Sequence, residues 1–166
     1  MRDRVIEIAE QAHALHWRMS GDEGTGDRLA KMVTDVWQAG VVAAQPGRFA
    51  VEYLVSPRLR ERIDVVDLED GVVYELKVSP NNAHFEFYKD IFKTIVARDT
   101  RLPSLRKFVF LVPESAACVL MRNLAGAVVA DAHKLGIEIE IVGLRLPAAE
   151  HIVVADEGAQ RPSSAG

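Results

Sequence analysis

Two carboxylates and a lysine, Asp64, Glu75 and Lys77, sit in segments whose composition is otherwise that of β-strands, 62–67 and 74–78. Side chains alternate along a strand, so Glu75 and Lys77 project from one face. Glu69, Asp70 and Gly71 form a tight-turn signal that pairs the two segments. All three charges thereby converge at one end of a hairpin. Two carboxylates held close repel each other, and a divalent cation relieves that repulsion while supplying a Lewis acid. Oxygen donors suit Mg²⁺ or Mn²⁺ better than zinc, and the backbone carbonyl of Leu76, between the two side chains, is a further candidate ligand. Such a cation can bind a phosphate and lower the pKa of a bound water. Lys77 can orient that water or stabilise charge developing on the phosphate.

Positioning these residues requires an ordered scaffold on either side. Residues 3–18 read as a helix, with Val5, Ile8, Ala9, Ala12 and Leu15 at helical spacing. A Gly- and Ser-containing loop over 20–27 separates it from a second helix, Asp27–Ala39, which Gly40 is expected to stop. Three short β-branched runs follow, Phe49–Val55, Arg62–Leu68 and Val72–Val78, and predict an antiparallel meander. A helix over 82–97 is expected to bury Phe85, Tyr88, Ile91, Phe92, Ile95 and Val96. Glu86, Lys89, Asp90 and Lys93 would then face outward. Lys107–Val112 reads as a strand, Ser115–Leu135 as one long helix closed by Gly136, and Ile137–Leu144 as a last strand. The order implies an α/β fold with a mixed sheet flanked by helices on both faces.

The chain of 166 residues, 49% hydrophobic and 27% charged, suits one domain over 1–155 with a disordered polar tail over 156–166. No run approaches a membrane span or a signal peptide, and a lone cysteine makes no internal disulfide, so a cytoplasmic protein without membrane association is expected. A net charge of −4 speaks against a broad basic surface, while leaving room for local Arg and Lys clusters that meet phosphate.

The pattern Asp64 … Glu75-Leu76-Lys77, split by a hairpin and followed by an amphipathic helix, resembles the PD-(D/E)XK nuclease superfamily. The resemblance covers about 27–112 and implies a restriction-endonuclease-like αβββαβ core. It further implies that Asp64 and Glu75 bind Mg²⁺ or Mn²⁺, and that Lys77 assists attack of water on a phosphodiester. Ile63 stands where the family name has proline. The family often draws another acid from the helix before the first strand, which points to Asp27 or Glu23. Glu52 on the first strand is the rival and is preferred, since an acid within Phe49–Val55 otherwise lacks a reason. The expected substrate is DNA rather than RNA, cut endonucleolytically, with a homodimer or a partner subunit supplying specificity. The alternative is a binding or assembly module that keeps the nuclease fold and acts through a partner.

Other residues divide between chemistry and packing. Arg58, Arg60 and Arg62, with Arg48 nearby, cluster at the first hairpin connection and, with Lys89, are candidate phosphate contacts. Asp67 alternates away from Asp64 and flanks the turn. His13 and His16 share a helical face but lack further ligands, and His84 reads as structural. The phenylalanines and Tyr88 near 85–92 read as core rather than as a base-stacking platform, and Cys118 as a small buried hydrophobe. No Gly-rich phosphate loop, nucleophile elbow or zinc signature supports a small-molecule enzyme. The bland reading of Glu75 and Lys77 is a surface ion pair worth about 0–1 kcal/mol.

Overall fold

A computed structural model describes residues 1–20, 27–123 and 125–145. The tail expected over 156–166 lies outside the described residues, as do Glu23 and the side chain of His16. Ten elements follow in order: α1 (Arg2–Ser20), α2 (Asp27–Ala44), β1 (Phe49–Ser56), β2 (Leu59–Asp67), β3 (Val72–Leu76), α3 (Ala83–Thr100), β4 (Lys107–Pro113), α4 (Glu114–Asn123), α5 (Ala125–Lys134) and β5 (Glu138–Leu144). The strands form one mixed sheet in the order β1-β2-β3-β4-β5. The first three pair antiparallel; β3–β4 and β4–β5 pair parallel through the helical crossovers.

Each face of the sheet carries its own core. On one side Val5, Ile8, Val33, Trp37 and Val41 of α1 and α2 pack on Val65, Tyr74, Leu76 and Leu111. Trp37 also donates its indole N–H to the carbonyl of Val5 at 3.2 Å, which fixes α2 against α1. On the other side Phe87, Ile91, Leu120 and Ala132, from α3, α4 and α5, cover Ile63, Val73, Phe108 and Phe110. β3 is buried along its whole length because helices lie on both of its faces. Among the described residues, no single helix is long and apolar enough to cross a membrane.

Four expectations change. α2 runs through Gly40 to Ala44, and Gly40 serves packing instead of termination: a Cβ there would lie 2.8 Å from Ile8 Cγ2. The long helix expected over 115–135 is described as two helices, α4 and α5. The buried stripe of α3 is rotated. It consists of Ala83, Phe87, Asp90, Ile91, Lys93, Thr94 and Ala97, whereas Phe85, Tyr88 and Phe92 are exposed. Small residues let the helix sit close to the sheet, and the two charged ones have partners beneath it. Cys118 is exposed, because α4 turns Ala116, Ala117 and Leu120 inward.

The start of α1 is tied to the far edge of the sheet. Arg2 pairs with Glu140 of β5, and Lys107 of β4 reaches the same carboxylate at 3.0 Å. The hydrogen bond from Arg2, aided by Lys107 and opposed by partial burial, holds the Glu140 carboxyl below its ordinary 4.5. A depressed carboxyl contributes stability above its unfolded value and loses it as pH falls through the folded one. Glu140→Gln is therefore expected to cost about 0.5–1 kcal/mol near pH 7. In denaturant titrations across pH, the difference from wild type should close below about pH 4.

Candidate active site

The β2–β3 ladder pairs Val65 with Tyr74, Val66 with Val73 and Asp67 with Val72. Extended by one step, that register sets Asp64 opposite Glu75. There the ladder gives way to a side chain: the amide of Leu76 donates to Asp64 Oδ2 at 2.9 Å. Lys77 lies one residue past the end of β3, anchored by its own amide to the Leu111 carbonyl at 2.8 Å. Glu75 and Lys77 both turn toward α3, as strand alternation requires.

α3 supplies the residues that complete the cluster. Lys93 Nζ stands 2.7 Å from both Glu75 Oε1 and Asp90 Oδ1, and it donates to the Arg62 carbonyl at 2.8 Å. Lys77 Nζ lies 3.1 Å from Asp90 Oδ2, 3.4 Å from Glu86 and 3.9 Å from Glu75. Glu86 in turn meets Lys89 at 3.2 Å. Asp90 and Lys93, expected on the outer surface, are buried and central. Their spacing of three residues puts both on one helix face, and that spacing was the available signal. An apolar count of the helix pointed elsewhere.

Burial pushes the Glu75 carboxyl well above its ordinary value, and Asp64 and Asp90 push it further; Lys93 and Lys77 pull the other way. Asp64 is also raised by burial, against the Leu76 amide and the same two lysines. Burial would lower both lysines, but the surrounding carboxylates win and hold Lys77 and Lys93 protonated. Partial burial would raise Glu86, yet Lys77 and Lys89 bring it below its usual range. Three acids, Asp64, Glu75 and Asp90, thus outnumber the two ammonium groups they face by one, an imbalance that contributes to the raised Glu75 carboxyl.

The donor set fits a hard divalent cation in kind. The four carboxylate oxygens of Glu75 and Asp90 are buried, and among the described residues the ammonium groups of Lys93 and Lys77 are what compensates them. As these side chains stand, no three described acids or imidazoles converge closely enough to chelate an ion, because Lys93 fills the space between Glu75 and Asp90. A cation would compete with that ammonium.

The remaining candidates lie elsewhere. Glu52 has the left-handed φ of 49° and accepts from Gln38 of α2 at 3.2 Å; Gln38 also donates to the Asp64 carbonyl at 3.0 Å. Glu52 therefore adjoins the backbone of Asp64 without an ion pair to the Lys77–Lys93 cluster. Asp27 opens α2, and its side chain lies outside the described residues. Arg58, Arg60 and Arg62 are exposed along the β1–β2 hairpin, and Arg62 donates to the Glu52 carbonyl at 2.8 Å. Lys89 is exposed beside Glu86. Arg48 does not join them: it is held by Asp67, Glu69 and Asp70. Asp67 is buried and also accepts the amides of Glu69 and Asp70, so it shapes the turn. A groove of about 940 Å³ between α1 and α2 is mainly apolar and lies away from the charged cluster.

No family model matches the chain, and neither do curated proteins or solved structures.

The excess charge has a direct consequence. A carboxyl with a raised pKa makes the folded state less stable as pH rises from the unfolded value, here 3.8 for Asp64, through the raised one. Asp64→Asn keeps an acceptor for the Leu76 amide and removes the charge. In EDTA at pH 7 the variant is expected to melt about 2–4 °C above wild type, which corresponds to roughly 1 kcal/mol. A lower Tm would mean that the ionised Asp64 is fully compensated.

Proposed function

We propose that the protein is a metal-dependent nuclease that hydrolyses phosphodiester bonds of DNA, with Asp64, Glu75 and Lys77 at its centre. The observation carrying this reading is the buried, acid-rich cluster in which Glu75 and Lys77 share a sheet face with Asp64 across the hairpin. A purely structural ion pair would need neither the third acid nor the burial. The succession α2-β1-β2-β3-α3-β4 also follows the αβββαβ order that the resemblance to the PD-(D/E)XK superfamily implies.

Asp64 and Glu75 would hold Mg²⁺ or Mn²⁺, with the Leu76 carbonyl as a further donor. Asp90 joins them as an acid beyond those the sequence motif names, in a better position than Glu52 to share the charge. The bound cation supplies a Lewis acid for the phosphate and lowers the pKa of a water. The chain's own groups do the rest. Lys77, kept protonated by Asp90, Glu75 and Asp64, offers a cation to the phosphate oxygens and a donor that orients the attacking water. Asp90 and Glu86 fix the position of its ammonium. Arg58, Arg60, Arg62 and Lys89 are exposed cations available to flanking phosphates. Cutting both strands calls for two such centres, through a homodimer or a partner subunit.

Two measurements test this. Supercoiled plasmid with Mg²⁺ or Mn²⁺ should be nicked or linearised, and Glu75→Ala or Lys77→Ala should lower the rate at least 100-fold. Wild type that leaves duplex, single-stranded and branched DNA intact with either ion would defeat the proposal and favour a binding module. Lys93→Met removes the ammonium between Glu75 and Asp90 and leaves two buried carboxylates face to face. It is expected to cost about 3 kcal/mol in EDTA, because a buried charge loses its partner. Mn²⁺ should recover part of that loss in thermal melts, and no recovery would argue that the carboxylates do not bind a cation.

A further inference from the structure

The rotation of α3 leaves a stripe of rings in solvent. Phe85 is 65% exposed, Tyr88 40% and Phe92 63%. At about 100° per residue the three fall within about 60° of arc. Lys89 lies about 40° beyond Phe85, and Glu86, which meets Lys77, about 60° beyond Lys89. Lys89 thus lies between the stripe and the Glu86 edge of the charged cluster. Along the helix axis the rings are about 4.5 and 6 Å apart, wider than the ~3.4 Å rise of stacked bases. His84, at the start of the same helix, rests its ring against Phe85 with centroids 4.0 Å apart.

We propose that Phe85, Tyr88 and Phe92 form a stacking platform for the bases of a single strand whose backbone passes Lys89 into the Lys77 site. The proposal rests on the nuclease reading for that direction, and it adds the substrate form: single-stranded or locally unpaired nucleic acid. Three features select this occupant. Every large apolar group on the stripe is an aromatic ring, and base–aromatic stacking tolerates any sequence because every base has a π-face. Lys89, half exposed and paired with Glu86 at 3.2 Å, can exchange that carboxylate for a phosphate of a polyanion. The area is too small for a stable second copy: aromatic side chains bury 150–250 Å² each, so at these exposures the rings offer roughly 300 Å². A stable interface uses about 800 Å² per partner. A paired duplex keeps its base faces covered and cannot use the platform.

Fluorescence anisotropy with labelled dT12 in EDTA, where no cleavage occurs, tests the platform directly. Wild type should bind dT12 at least tenfold more tightly than a duplex of equal length. Phe85→Ala and Phe92→Ala should each weaken dT12 binding about tenfold, within the range of single-base stacking losses. Phe92→Leu should behave like the alanine variant, whereas Phe92→Trp should retain binding and show quenched indole emission on adding dT12. Unchanged binding in the alanine variants would overturn the proposal. So would retention by Phe92→Leu, or a change of sedimentation state in place of a change in binding, either of which would mark an apolar protein-docking face. If dT12 binds through the stripe while wild type cuts no DNA, the platform stands and the nuclease reading falls. If wild type cuts DNA and the stripe variants bind dT12 as wild type does, the reverse holds.

Discussion

Glu75 sits on a central strand with its carboxylate removed from solvent, and the fold around it is arranged to meet that charge. An ionised carboxylate in such a place costs several kcal/mol unless an opposite charge lies against it. Lys93 supplies that charge from α3 at 2.7 Å, and Lys77 adds a second ammonium at the end of the same strand. Asp90 then holds both lysines, at 2.7 and 3.1 Å. Strand and helix are joined by charge at this point and by aromatic packing elsewhere, where Phe87 meets Phe110 edge-on with centroids 5.3 Å apart.

This compensation decides how α3 is turned. Apolar side chains occur around most of the helix, and burial area alone would favour the face bearing Phe85, Tyr88 and Phe92. That face would carry Asp90 and Lys93 away from Glu75, leaving a buried carboxylate unpaired. Turning the helix would exchange Phe87 and Ile91 for Phe85, Tyr88 and Phe92, a net gain of one large side chain or roughly 1.5–3 kcal/mol, against about 3–5 kcal/mol for leaving a buried charge unpaired. The helix therefore presents Asp90 and Lys93 to the sheet and leaves the rings outside. The same charge requirement shapes the hairpin. Asp64 takes over the Leu76 amide where the β2–β3 ladder ends, which brings its carboxylate to the edge of the cluster.

Much of this was legible in the sequence, and the parts that were not share a cause. The meander, the crossover helices and the mixed sheet follow from β-branched runs, turn residues and helical periodicity. The juxtaposition of Asp64, Glu75 and Lys77 follows from strand alternation and one hairpin. Strand alternation places Asp67 at the turn, where it accepts the amides of Glu69 and Asp70. What periodicity could not give was the rotation of α3, because a hydrophobic stripe ranks faces by apolar content and Asp90 and Lys93 count against the correct face. Their burial depends on Glu75 and Lys77, which are more than a dozen residues away in the chain. Gly40 misled for a similar reason: its role is a close approach to Ile8 of another helix, which no local signal records. Glu52 stands out as an acid in a strand, and its carboxylate meets Gln38 at 3.2 Å and Arg62 at 3.9 Å.

Under the proposed function Asp64, Glu75 and Asp90 would hold a divalent cation, and Lys93 would be the internal competitor for the same space. Calorimetric titration of Mn²⁺ into the full chain tests it most directly, since it reads the cation without requiring a substrate. Wild type should show saturable binding that is lost in Glu75→Gln and tightened in Lys93→Met. Wild type that takes up no Mn²⁺, or binding that is indifferent to both substitutions, would mean that these carboxylates hold no cation.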